Sequence, residues 1–255
     1  MNEENDDFQA RFESVLRIYG GEAKEKLLTK KILIIGLGGV GSWSFEALVR
    51  TGFHQLKIVD LDDICISNTN RQLHTHQESI GKFKVDELQN RALSINPHIN
   101  IETTHQFYTE KTSDDILSYN PDYILDCIDS VKNKCHLISC AKEKNIPILV
   151  TGGAGGKKDP LQLQVNDLNR TFNDDLLMQT RKKLKREFGF PRYDKKKFHI
   201  PAIFSPETKI EPDNLANKNG LNCQNGIGSL LQVTGSMGFL AASICTNHLL
   251  DYAKN

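Results

Sequence analysis

Ile32-Leu33-Ile34-Ile35-Gly36-Leu37-Gly38-Gly39-Val40-Gly41 decides the fold of this chain. Four consecutive branched apolar residues, closed by glycine, read as a short strand buried on both faces. The next residues, to about Thr51, read as a helix, so the glycines sit in a strand-to-helix turn. Gly36, Gly38, Gly39 and Gly41 permit that turn and let a phosphate approach backbone N–H groups at the helix N-terminus, where the helix dipole favours an anion. Leu56-Lys57-Ile58-Val59-Asp60 reads as a second strand. It ends on a carboxylate positioned for the hydroxyls of a ribose. The combination specifies a nucleotide, and on these residues alone NAD fits as well as ATP.

Outward from this unit, residues 8–28 read as helical. A long polar connection from Asp62 to Gly81 precedes a helix from Lys82 to Ile95, stopped by Asn96-Pro97. Then come a strand over Ile99–Thr103, a helix near Ser113–Ser118 and a strand over Tyr123–Cys127. A helix to about Lys144 and a strand over Ile146–Thr151 complete the series. Alternation of strand and helix predicts an α/β fold, a Rossmann-like and mostly parallel sheet with helices on both faces. The expected organisation is an N-terminal helical arm over 1–30, an ATP-binding Rossmann-like domain over 31–156, and a C-terminal extension over 157–255 that completes the same domain. The extension should add a strand at Leu161–Val165, a basic helix and loop, and a long apolar helix.

Composition narrows the class. Among 255 residues, 32 Lys and Arg balance 32 Asp and Glu, so no global field marks a nucleic-acid coat or membrane-surface protein, and any basic site must be local. The six cysteines form no CxxC pair, which predicts reduced thiols in a cytoplasmic protein and no zinc ribbon. Cys127 and Cys245 read as packing residues, and Cys223 is the candidate reactive thiol. From Gly226 to Cys245 the chain carries no charge, but four glycines and several hydroxyl residues dilute the run. It reads as a helix buried or at a subunit contact, with membrane association as the minor alternative.

Other residues discriminate between nucleotides. A triphosphate undergoing substitution needs cations on the departing pyrophosphate and a carboxylate to hold magnesium. Asn68, Arg71 and Gln72 lie in the loop after the second strand, Lys84 opens the next helix, and Asp129 follows the strand ending at Cys127. All fall on connections leaving the C-terminal ends of strands, where open α/β sheets bind ligands. ATP and Mg2+ are the expected cofactors.

These strings resemble the ubiquitin-activating-enzyme-like superfamily: Gly36-Leu-Gly-Gly-Val-Gly-Ser42, Asp60-Leu-Asp62, Asn68-Thr-Asn-Arg71-Gln72, Gly81-Lys-Phe-Lys84 and Asp126-Cys-Ile-Asp129. Within it, Arg17-Ile-Tyr-Gly20, Thr151-Gly-Gly-Ala-Gly-Gly156 and Phe204-Ser-x-Glu207 resemble the branch that dehydrates a threonyl-modified adenosine beside a tRNA anticodon. The resemblance implies that Asp60 and Asp62 serve the ATP, that Arg71 and Lys84 stabilise the leaving pyrophosphate, and that Asp129 binds magnesium. It also implies a homodimer in which Arg11 or Arg17 reaches the partner's ATP, and possible sulfur-transfer partner proteins. The alternative activity is adenylation of the C-terminal carboxylate of a ubiquitin-like sulfur carrier.

A tRNA substrate requires phosphate contacts. Arg181–Lys197 holds nine basic residues, among them Lys182, Lys183, Lys185, Arg186 and Arg192. Phe188, Phe190 and Tyr193 are interleaved as candidate stacking surfaces, and Lys157 and Lys158 extend the patch.

Overall fold

The computed structural model describes residues 3–193, 196–210 and 228–251. Cys223 lies outside the described residues, as do Gly226 and Ile227 at the start of the uncharged run. Among the described residues, seven strands form one sheet in the order β3-β2-β1-β4-β5-β7-β6. These are β1 (Lys31–Ile35), β2 (Gln55–Val59), β3 (Asn100–Thr104), β4 (Tyr123–Asp126), β5 (Ile148–Thr151), β6 (Gln164–Asp167) and β7 (Pro201–Phe204). All pairings are parallel except β6 with β7. The chain order reverses between β1 and β4, and this switch point opens the ligand crevice of such sheets.

Two apolar clusters cover the two faces. Ile32 and Ile34 of β1 point into one, Leu33 and Ile35 into the other, as the two-residue strand period requires. The first cluster is roofed by α3 (Gly41–Thr51), α4 (Lys84–Ile95) and α8 (Leu231–Leu249). The second is roofed by α5 (Ser113–Leu117), α6 (Val131–Glu143) and α7 (Asp175–Glu187). Helix α8 packs along α3: Gly238 abuts Trp43, and a Cβ there would lie 2.7 Å from Trp43 Cβ. No helix among the described residues is long and apolar enough to cross a membrane.

Three local expectations shift. The N-terminal arm is two helices, α1 (Glu3–Tyr19) and α2 (Ala23–Thr29), because Gly20 adopts φ +87° and turns the chain. Leu161–Val165 does not form a strand as a unit. Asp159 caps a 3₁₀ turn over Pro160–Gln162 and the strand begins at Gln164. Proline just after the capping aspartate favours that turn over extension. The terminal helix begins at Leu231, three residues past Gly228.

Candidate nucleotide site

The expected residues converge on one crevice of about 1060 Å³ along the C-terminal ends of β1, β2, β4 and β5. Gly36, Gly38, Gly39, Asp60, Asp62, Asn68, Arg71, Gln72, Lys84 and Asp129 all line it. Gly41 lies just behind, where a Cβ would fall 1.9 Å from the Gly36 carbonyl oxygen, so the turn closes only around a residue without a side chain.

Asp60 is buried and ties the turn to the second strand. Its Oδ2 accepts from Leu37 N–H at 2.6 Å and its Oδ1 from Asp62 N–H at 2.9 Å. Burial pushes its carboxyl up, against the pull of Lys84 and these two donors. Lys84 is buried as well, its Nζ 2.7 Å from Asp62 Oδ2 and 3.9 Å from Asp60 Oδ1. A triphosphate entering here meets an ammonium already desolvated, whose attraction is little screened. Arg71 donates through Nη1 to Ser67 O at 2.8 Å and Asn70 Oδ1 at 2.9 Å, which spreads its guanidinium over the 62–81 connection. Trp43 Nε1 donates to Arg71 O at 3.0 Å and fixes that connection to α3.

Gln72 is held by a neighbour that sequence reasoning missed. Its Oε1 accepts from His74 Nε2 at 3.0 Å, with both residues buried. Burial, reinforced by the charges of Lys84 and His76, pushes the His74 imidazole down from 6.5 to about 3. The unfolded chain therefore takes up a proton at this ring below about pH 6.5, and the folded chain does not until about pH 3. Its contribution to stability is present above pH 6.5 and is lost as pH falls through that window. We expect His74→Gln to flatten the fall of unfolding free energy between pH 7 and pH 4, read from urea titrations at each pH. An unchanged slope would assign the acid sensitivity to other groups.

Crevice walls come from elements that carry no nucleotide motif. Gln106 and Tyr108 follow β3, Asn133 lies on α6, Thr151 ends β5 and the run Gly152–Gly155 follows it, and Thr234 stands on α8 with its Cγ2 3.1 Å from a Cβ placed at Gly39. The Thr151–Gly156 string was legible as a family match, whereas no local signal marks Asn133 or Thr234. Cys127 lines the crevice, but burial pushes its thiol up to about 12, so it is not poised as a nucleophile.

Arg11 and Arg17 are not brought into this crevice. Arg11 binds Asp7 at 2.7 Å and the Ile95 carbonyl at 3.1 Å, whereas Arg17 pairs with Glu13 at 2.9 Å on an exposed helix face. On α7, Lys183 and Arg186 both pair with Glu187 and Lys182 is exposed, as is Arg192 in the loop beyond the helix. The aromatic residues divide. Phe190 is buried against Phe198 with ring centroids 4.9 Å apart and Phe188 packs on the same cluster, which leaves Tyr193, 81% exposed, as the available stacking surface. Lys157 is buried and donates to the carbonyls of Asn173 and Glu207, so it braces loops instead of extending a basic patch.

Comparison with known proteins matches this architecture. The chain is 38% identical over 248 residues to tRNA threonylcarbamoyladenosine dehydratase of Haemophilus influenzae, covering 96% of this chain and 95% of that protein. The crystal structure of Escherichia coli tRNA N6-threonylcarbamoyladenosine dehydratase in complex with ATP superposes with a TM-score of 0.89 at 35% identity, covering 97% of this chain and 96% of that one. Molybdopterin-synthase adenylyltransferase of Haemophilus influenzae is 32% identical, over 55% of this chain and 57% of that protein. The ThiF family's sequence model extends from residue 12 to residue 252, through the glycine turn, the crevice and α8, and the chain belongs to the ThiF family.

Proposed function

We propose that this protein uses ATP to dehydrate threonylcarbamoyladenosine in tRNA, closing a ring through an acyl-adenylate. The observation that carries this reading is the convergence of the glycine turn, Asp60, Arg71, Lys84 and Asp129 on one crevice, within a chain related to the dehydratases over almost its whole length. Likeness to the molybdopterin-synthase adenylyltransferase stops at about half the chain, which leaves carrier activation as the less supported activity.

In this reading, Asp60 holds the ribose, and the N–H groups of Gly38 and Gly39 meet the phosphates. A carboxylate oxygen of the threonyl group attacks the α-phosphorus as pyrophosphate leaves toward Asn68, Arg71 and Lys84. A nitrogen of the same threonylcarbamoyl group then attacks the activated carbonyl, and AMP departs. The net change is loss of one water from the nucleoside. Because nucleophile and electrophile share one group, positioning supplies the rate and no enzyme nucleophile is needed. Magnesium fits Asp129: the ion commonly takes one or two carboxylates plus phosphate oxygens and waters, and Asp129 offers an exposed carboxylate on the crevice wall. When bound, it neutralises charge on the triphosphate.

The same reading places the protein in the cytoplasm as a homodimer, with sulfur-transfer proteins as possible partners. It keeps the division into an arm, an ATP-binding unit and a C-terminal extension. Arg17 suits the trans role better than Arg11, since its exposed pair with Glu13 yields easily to a phosphate. The test is mass spectrometry of tRNA nucleosides after incubation with ATP: threonylcarbamoyladenosine should lose the mass of one water, with AMP formed in equal amount. Nucleosides left unchanged beside AMP release on a carrier-protein tail would favour the alternative.

Lys182, Arg186 and Arg192 are the proposed tRNA contacts. Replacing all three by Gln should weaken tRNA binding and make the slope of log affinity against log salt shallower by about 2 to 3. An unchanged slope in a filter-binding titration would leave them as solvated surface charge.

A further inference from the structure

The sheet lays out the crevice in a line. Asp60 follows β2, the glycine turn follows β1, Asp129 follows β4, and Gly152–Gly155 follow β5, with these strands adjacent in the order β2-β1-β4-β5. At about 4.8 Å per strand, the β5 loop lies about 14 Å from the strand that carries Asp60. A ribose on Asp60 and phosphates on the glycine turn leave the β5 loop, about 10 Å beyond that turn, at the end of the crevice opposite Asp60, the end open to the acyl group.

That loop is pinned at three points. Gly152 N–H donates to Ile203 O of β7 at 2.8 Å, and Gly156 N–H donates to Gly228 O at 2.7 Å. Between them, Gly153 N–H donates to Asp174 Oδ2 at 2.9 Å. The other oxygen of the same carboxylate, Oδ1, accepts from Leu177 N–H at 2.9 Å and caps α7. Asp174 is buried, and a Cβ on Gly152 would stand 2.1 Å from its Oδ2, so loop and carboxylate are in closest packing. Leu176, in the first turn of α7, lines the crevice beside Gly152 and Gly153. One side chain thus joins the crevice loop to the helix whose far half carries Lys182 and Arg186.

We propose that Asp174 is a positioning residue for the acyl-substrate end of the crevice, holding the Gly152–Gly155 loop against α7 so that the threonyl carboxylate meets ATP in line. This rests on the dehydratase reading for the identity of the acyl group but not for the loop geometry. A helix cap alone would need only the bond to Leu177, and the second bond is what reaches the crevice.

Asp174→Ser separates the two roles, because serine caps a helix nearly as well as aspartate but is too short to reach Gly153 as well. In the full-length protein, the variant should keep the wild-type melting temperature within a few degrees and bind ATP within about 3-fold of wild type. Its kcat/KM for threonylcarbamoyladenosine-bearing tRNA should fall about 100-fold, the scale of a misplaced reacting group. Hydrogen exchange should quicken at residues 152–156 while α7 keeps its protection. Asp174→Ala should add a loss of helix stability to the same kinetic defect. Wild-type kcat/KM or unaltered exchange at 152–156 in Asp174→Ser would overturn the proposal, as would an equal loss of ATP affinity. If wild-type protein leaves the tRNA unchanged, the dehydratase reading fails, and exchange at 152–156 still decides the role of Asp174.

Discussion

Asp129→Ala should abolish ATP–pyrophosphate exchange in the presence of threonylcarbamoyladenosine-bearing tRNA, lowering it by at least about 10³-fold, while the protein stays folded. The side chain is exposed on the crevice wall, one connection away from the glycine turn, so its removal opens no cavity. Surface truncations of this kind change stability by about 0.5 kcal/mol or less. The rate cost is large because the carboxylate would hold the cation that offsets charge building on the departing pyrophosphate, and water cannot replace it with the same geometry. Exchange of labelled pyrophosphate into ATP, with circular dichroism as the control for folding, gives the answer. Exchange at the wild-type rate would remove Asp129 from the mechanism.

The second large effect falls beneath the same loop. Lys134 of α6 is fully buried, its Nζ 2.9 Å from Asp126 Oδ1 and 3.3 Å from the Asp126 carbonyl. Asp126 Oδ1 also accepts from Ile128 N–H at 3.0 Å, so this pair sets the path of Cys127, Ile128 and Asp129 into the crevice. Burial pushes the Asp126 carboxyl up, and Lys134 is the opposing influence. Removing one member of a buried pair strands the other, at a cost of about 3–5 kcal/mol. Lys134→Met should therefore destabilise the protein by that amount, measured by urea unfolding. The double variant Asp126→Leu with Lys134→Met should recover much of the loss, because it removes the stranded carboxylate. A single variant that unfolds at the wild-type urea midpoint would show that Asp126 is kept neutral or finds another partner.

Both predictions depend on residues whose legibility differed. Asp129 is legible in the sequence because it closely follows a short apolar strand, at the end of the sheet where ligands bind. Lys134 could not, because a lysine among helical residues reads as a solvated charge, and nothing local says that α6 turns this position toward β4. Its place at the head of α4 marks Lys84 as a phosphate contact, but its burial between Asp60 and Asp62 depends on β2 and α4 meeting across the 62–81 connection. In the fold the basic segment is not uniform. Local composition showed charge and aromatic residues in alternation, whereas packing took Phe190 into the core and paired Lys183 and Arg186 with Glu187.

What the chain's own order determined is the unit from Lys31 to Val59 and the alternation that follows it. Strand period, glycine spacing and helix stops act over a few residues and are written in consecutive positions. Tertiary structure alone decided which distant side chains share the crevice. Thr234 of the terminal helix meets Gly39, and Asp174 meets Gly153. Each depends on close packing and loss of water at a contact between separate elements, and burial of that kind has no period to read along the chain.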